Sequence, residues 1–434
     1  MGRNRQLPRR HVYEANRDLG TRNDAVKSKI TNRFLRANYR VKWARKHRSI
    51  LVKSVFRIAA QSLVLCALKA SFVYATSPAK KDIIAYVFAK DQLLGADEVV
   101  GTSLTRVNYA FANIVNGKIV EGFAHDRENF QVLNNLKKKN PTLQVVISVG
   151  GWTWSSPFSD VALTPASRKV FIDSAVQFIR DNDLDGLDID WEYPSLVGNG
   201  NVHRPVDKHN YTLLLKELRT RFDKEEKSLH KHLITSVAVA GSEEFLDNTE
   251  MGKVQLYVDS VNLMAYDYYE PDSDTTTGHH APLFTNPADP KHISVDASIK
   301  LYEQAGIPAS KIVLGVPFYG HTWADVGDVN HGLYQSGKKT EIWSSYHDVG
   351  DLLSKGYVRY WDSTSSAPYL YDASTRTFVS YEDPESLALK CKYVLNHNLA
   401  GIMFWDYSGD SADHALLNTI NTGLKENTLS KGTN

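Results

Sequence analysis

From residue 81 onward, short continuous apolar runs alternate with longer stretches in which apolar residues recur every three or four positions. The runs occupy residues 83–88, 107–114, 143–149, 184–190, 233–240, 258–266, 311–318 and 400–406. A half-exposed strand alternates apolar with polar residues, whereas a strand buried on both faces is apolar throughout, as in a parallel sheet covered by helices. The longer stretches predict those helices. "PASRKVFIDSAVQFIRDN" has Thr164 as an N-cap and Pro165 in its first turn, with Val170, Phe171, Ala175 and Phe178 on one side. "DKHNYTLLLKELRTRFDKE" and "VDASIKLYEQAG" follow the same period, the second closed by Gly306 as a C-cap. Eight such strands over about 340 residues predict an α/β fold, a closed (β/α)8 TIM barrel, rather than an open doubly wound sheet. "YVFAKDQLLG", after the first run, lacks the glycine fingerprint of a dinucleotide fold. Residues 321–383 break the rhythm. Rich in Gly, Tyr, Trp and Ser and too long for a loop, they predict a small α+β insertion domain between strand 7 and helix 7. The barrel body is expected over 80–421, with a polar tail over 422–434.

Charge changes the picture at the N-terminus. The formal net charge of +2 hides a segregation: 17 of the 51 Lys+Arg and three of the 49 Asp+Glu lie at or before Arg57. The rest of the chain therefore carries 34 basic and 46 acidic residues, a net of −12, which is a poor surface for nucleic acid. Behind the basic segment 1–53, residues 54–79 hold an apolar run interrupted by Gln61 and Lys69 and ending in Val73-Tyr74-Ala75. This is the pattern of a secretory signal peptide, with an N-terminal membrane anchor as the alternative. The expected location is secreted or periplasmic, otherwise membrane-anchored, and the expected state a monomer. Two cysteines, Cys66 and Cys391, provide no disulfide framework. Cys391 is expected as a packed small side chain on a helix.

The candidate chemistry lies in "DLDGLDIDWEYPS". Asp188, Asp190 and Glu192 share one parity of the fourth strand and so point together toward the barrel axis, roughly 6–7 Å apart. Leu187, Ile189 and Trp191 then face the helices. Glu192 stands at the C-terminal mouth, where barrel enzymes hold their reacting groups. Carboxylates stacked in a medium of low dielectric raise one another's pKa, which favours a protonated Glu192 near neutral pH.

"DGLDIDWEYP", with Asp185, Asp188, Asp190 and Glu192, resembles the signature of glycoside hydrolase family 18, the chitinases and their relatives. "VISVGGW", "MAYDYY", "TGHHAPLF", "KIVLGVPFYG" and "GIMFWDYSGD" resemble further motifs of that family, in order, so the resemblance spans Tyr86 to Asp410. It implies hydrolysis of N-acetylglucosamine polymers or oligomers by a retaining, substrate-assisted route, an exception to the two-carboxylate scheme. It also implies roles. Glu192 would be the general acid and base, Asp190 would orient the acetamido group, Asp188 would support Asp190, and Tyr266 would bond the acetamido oxygen. Asp267, Met264 and Gly151 would contact substrate, and Trp405, Tyr86, Phe111 and Trp152 would offer aromatic faces to sugar rings. Chitin is the expected partner, and no cofactor or metal is expected. His279 and His280 show no metal-ligand spacing. Hydrolysis of other N-acetylglucosamine glycans and a non-catalytic chitin-binding lectin are the alternatives. One position departs from the family pattern, His321 standing where relatives commonly place an arginine.

Overall fold

The computed structural model describes residues 80–340 and 344–425. The eight apolar runs become eight parallel strands: β1 (Asp82–Val87), β2 (Arg106–Val115), β3 (Gln144–Gly150), β4 (Gly186–Asp190), β5 (Ile234–Ala240), β6 (Ser260–Met264), β7 (Ile312–Pro317) and β8 (Gly401–Trp405). Each pairs with its neighbours in sequence, and β1 pairs with both β2 and β8, which closes the barrel. Register puts Ser148 opposite Asp188 across β3–β4, and Asp188 opposite Ser236 across β4–β5.

Two layers form around the sheet. Leu187, Ile189 and Trp191 are fully buried in the outer layer, between strands and helices. Trp191 stacks on Phe158 at 5.4 Å and meets Tyr211 edge-on at 5.8 Å. Asp188 and Asp190 take the other parity and face the axis, where Asp188 reaches residues from four other strands.

The helices that cover the barrel include α1 (Asp126–Leu136), α2 (Pro165–Asp181), α3 (Asp207–Leu229), α4 (Val295–Gln304), α5 (Pro384–Asn396) and α6 (Ala415–Gly423). The start of α2 is a reciprocal cap: Ser167 N–H donates to Thr164 Oγ1 at 3.0 Å, and Thr164 N–H donates to Ser167 Oγ at 3.0 Å. Phe171, Ala175 and Phe178 are buried on one stripe as expected, but Val170 is exposed. One residue before Phe171, it is turned about 100° off that stripe. Gly306 follows α4 with φ +90°, the left-handed conformation that ends a helix. Cys391 is buried on α5. Thr164→Ala is expected to cost about 1 kcal/mol through loss of the cap, read as a lower midpoint in urea unfolding.

Between β7 and α5 the chain builds a second, antiparallel sheet. Its strands are Tyr319–Ala324, Lys338–Lys339, Ser344–Ser345, Val358–Asp362, Ala367–Asp372 and Thr377–Ser380, with a helix at Val349–Ser354. Tyr269, Trp323, Leu333, Tyr369, Tyr371 and Phe378 form its core. The first strand starts two residues after β7 ends, so Tyr319 and His321 stand at the barrel mouth. Among the described residues, no helix is long and apolar enough to cross a membrane. The basic segment 1–53, the signal or anchor segment 54–79 and most of the polar tail lie outside the described residues.

Candidate active site

Asp188 lies at the base of the site and is fully buried. Four side chains from four strands satisfy it. Tyr86 Oη and Ser148 Oγ donate to its Oδ2 at 2.9 and 2.8 Å. Ser236 Oγ and Asn262 Nδ2 donate to its Oδ1 at 2.6 and 3.2 Å. A carboxylate accepts about that many bonds and a neutral apolar residue accepts none. Asn262 also donates to Tyr86 Oη at 3.0 Å, which joins the four into one network.

One step up, Asp190 faces Glu192 within hydrogen-bonding reach. Burial first, then the charges of Glu192 and Asp188, push the Asp190 carboxyl well above the usual range. Its Oδ1 is buried and has no hydrogen-bond partner among the described residues. Glu192, 9% exposed, is pushed up to about 7, chiefly by burial, with bonds from Tyr193 and Asp190 working the other way. Its backbone is fixed: the N–H donates to Ser155 Oγ at 2.9 Å, and Asn201 Nδ2 donates to its carbonyl at 2.9 Å. Burial, followed by the Asp267 charge, raises the Tyr266 phenol, which stays a neutral donor.

Asp267 adopts φ +58° just after β6. Burial works to raise its carboxyl, but the neighbouring His280 and His321 rings outweigh this and hold it well below the usual carboxylate range. Tyr319 Oη donates to its Oδ1 at 2.6 Å, and His321 Nε2 lies 2.8 Å from the same oxygen. His321 thus pairs with the acidic residue that follows β6.

An aromatic floor closes the barrel mouth. Tyr86, Phe111, Met264, Tyr266 and Trp405 share one apolar cluster with Phe88 and Trp154. Phe111 stacks on Trp405 at 5.4 Å, and Phe88 and Tyr86 flank the indole at 5.5 and 6.0 Å. Trp152 stands apart. It is 51% exposed and meets Tyr193 edge-on at 6.4 Å, so it lies at the rim rather than in the floor. Gly150 and Gly151 have φ +105° and +70°. A Cβ on Gly151 would sit 2.6 Å from the Phe111 ring, and one on Gly150 would sit 2.3 Å from the Asp190 carbonyl. What approaches these glycines is the protein's own site wall.

Sequence reasoning missed several members. Phe88 has the parity of Tyr86, two residues on, and strand alternation alone points it to the floor. Trp154 was indistinguishable from any other tryptophan, and Trp323, equally ambiguous, is core of the second sheet. Ser148, Ser236 and Asn262 are single polar residues in apolar strands, a signal that is visible but unspecific. Glu270, pushed up to about 7 by burial and the nearby Asp267, shares the loop that follows β6.

A parallel barrel with two close, buried carboxyl groups at its C-terminal mouth, beside an aromatic floor, defines a glycosidase type of site. The glycosyl hydrolases family 18 pattern matches residues 72–410, and the chain belongs to that family. Chitinase A1 of Niallia circulans is 41% identical over 330 residues, 69% of this chain and 47% of that protein. The chain thus spans about half the length of that relative. The solved structure of a family 18 N-acetylglucosaminidase from Paenibacillus barengoltzii aligns with a TM-score of 0.73 at 38% identity, covering 79% of this chain and 99% of the other. A class V chitinase from Nicotiana tobaccum, solved in complex with NAG4, aligns with a TM-score of 0.72 at 28% identity, covering 80% and 99%.

Proposed function

We propose that this chain is a chitinase, hydrolysing β-1,4-linked N-acetylglucosamine chains with retention of configuration. The observation that supports it most is the buried, unpartnered Oδ1 of Asp190, beside a Glu192 carboxyl held near neutrality. An acetamido N–H of the substrate satisfies that oxygen, and the acetamido oxygen then faces the anomeric carbon. Glu192 gives its proton to the glycosidic oxygen as the C1–O bond breaks and the acetamido oxygen bonds to C1. Asp190 and its partner Asp188 stabilise the positive oxazolinium, and Tyr266 donates to the acetamido group. Glu192 then takes a proton from water as the water oxygen attacks C1 and the bond from C1 to the acetamido oxygen breaks, restoring the neutral acetamido group. Asp267 contacts the distorted sugar, Trp405 lies under it with Tyr86, Phe111, Met264 and Gly151 shaping the walls, and Trp152 extends the groove at the rim. Secretion directed by segment 54–79, or anchoring through it, and action as a monomer belong to the same proposal.

A second reading, an N-acetylglucosaminidase, is favoured by the likeness to the Paenibacillus barengoltzii structure. Product analysis from tetramers to hexamers of N-acetylglucosamine separates the two. A chitinase is expected to release dimers and trimers as β-anomers early in the reaction; stepwise release of monomer would replace this proposal with the second reading. Binding without cleavage would make the chain a lectin.

A further inference from the structure

Among the described residues, a second cluster of chemistry-bearing side chains lies at the mouth beside the carboxylate pair. Asp267, His280 and His321 each offer one ligand atom, and these atoms all lie within 4.8 Å of one another. We propose that they form a binding site for a divalent transition-metal ion. Asp267 Oδ1 is 2.8 Å from His321 Nε2 and 3.6 Å from His280 Nδ1. Those separations bracket the roughly 3.3 Å between neighbouring ligands around a tetrahedral ion with bonds of about 2.0 Å. The second, independent observation is His280 itself. It is fully buried, and both of its ring nitrogens lack a hydrogen-bond partner among the described residues. A buried polar ring without partners is costly unless something completes it.

The surroundings suit a preorganised site. Tyr319 Oη donates to Asp267 Oδ1 and holds that carboxylate in place. The His280 backbone N–H donates to Ser380 Oγ at 2.8 Å, and Lys390 Nζ anchors the next residue through the Ala281 carbonyl at 2.7 Å. The Asp267 side chain is 33% exposed, which leaves a path for an ion from the groove. Two imidazoles with one carboxylate select zinc, copper or nickel over magnesium or calcium, which favour all-oxygen sets. The ligands come from three chain segments: the turn after β6, the loop carrying His280 and the first strand of the second sheet. If Asp267 also contacts sugar, as the proposed function has it, the ion and the substrate compete for it.

The test is calorimetric titration of the full chain with zinc ion alone and no substrate, so its result does not depend on the proposed activity. One saturable equivalent is expected, removed by a chelator. His321→Arg keeps a charged partner for Asp267 yet removes a ligand, and His280→Gln removes the buried one. Each is expected to weaken zinc binding by about a hundredfold or more. Copper(II) loaded at the same site should show nitrogen hyperfine couplings from two imidazoles in the parent chain and from one in each variant. Absence of saturable binding by the parent, or equal binding by a folded His321→Arg chain, overturns the proposal.

Discussion

Replacing Glu192 with glutamine is expected to remove hydrolysis and, at alkaline pH, to stabilise the folded chain. Both effects have one cause. The Glu192 carboxyl is held near 7 against an ordinary value of 4.5, so the folded state pays to ionise it. In the window between those values the folded chain binds more protons than the unfolded one, so stability falls as pH rises through it and stays lower above. Glutamine cannot ionise and escapes that fall. The variant should gain about 3 kcal/mol over the parent at pH 8, and little at pH 4. Activity moves the other way. General acid and general base steps contribute about 10²–10⁴-fold each, so losing the one residue proposed to perform both should lower kcat by at least about 10³-fold. In the parent chain, kcat/KM should fall as pH rises through about 7, where the proposed acid, Glu192, ionises. Urea unfolding of both chains at pH 4 and pH 8, with initial rates on a hexamer, measures all of this. A variant less stable than its parent at pH 8 would show that burial is not what governs this carboxyl.

That trade of stability for a poised acid was partly legible in the sequence. Asp188, Asp190 and Glu192 declare a shared face because strand parity is strictly local, and Leu187, Ile189 and Trp191 declare the opposite face for the same reason. The eight strands were legible because burial on both faces makes a run apolar throughout. Their ends moved by one or two residues; β6, for instance, stops at Met264, and the Ala265 N–H then turns back to the Leu263 carbonyl. What stayed hidden depends on distant parts of the chain. Nothing local tells Ser148, Ser236 and Asn262 that they converge on one carboxylate, since each lies on a different strand. His280 and His321 lie 41 residues apart on a loop and on the first strand of the second sheet, so no spacing rule applies to them. Trp152 and Trp154 sit two residues apart, yet one reaches the rim and the other the floor cluster, because the short helix Gly151–Trp154 replaces strand parity with a helical turn.

The second large effect is expected at Asp188, where fold and site meet. Alanine there leaves the buried Tyr86, Ser148, Ser236 and Asn262 aimed at an acceptor that no longer exists. Each stranded donor costs part of its desolvation penalty, and hydroxyls that rotate to find one another recover some of it. A net loss of about 3–5 kcal/mol is expected, in line with breaking a buried charged group from its partners. Asparagine preserves the shape and one acceptor oxygen, and the Tyr86 and Ser148 hydroxyls can turn to accept from its amide. Its cost should be about 1–2 kcal/mol. The order of the two variants is the informative part, because a cavity alone would not separate hydrogen-bond loss from volume loss. Denaturant midpoints of the parent, Asp188→Asn and Asp188→Ala chains should fall in that order. If alanine proved as stable as aspartate, the polar network around Asp188 would not be what holds this part of the barrel together. Catalysis should suffer in both variants, since removing the Asp188 charge withdraws one of the influences that raise the Asp190 carboxyl. Hydrolysis should therefore drop even in the asparagine chain, whose fold is nearly intact, and that separation of rate from stability distinguishes a working member of the carboxylate stack from a structural one.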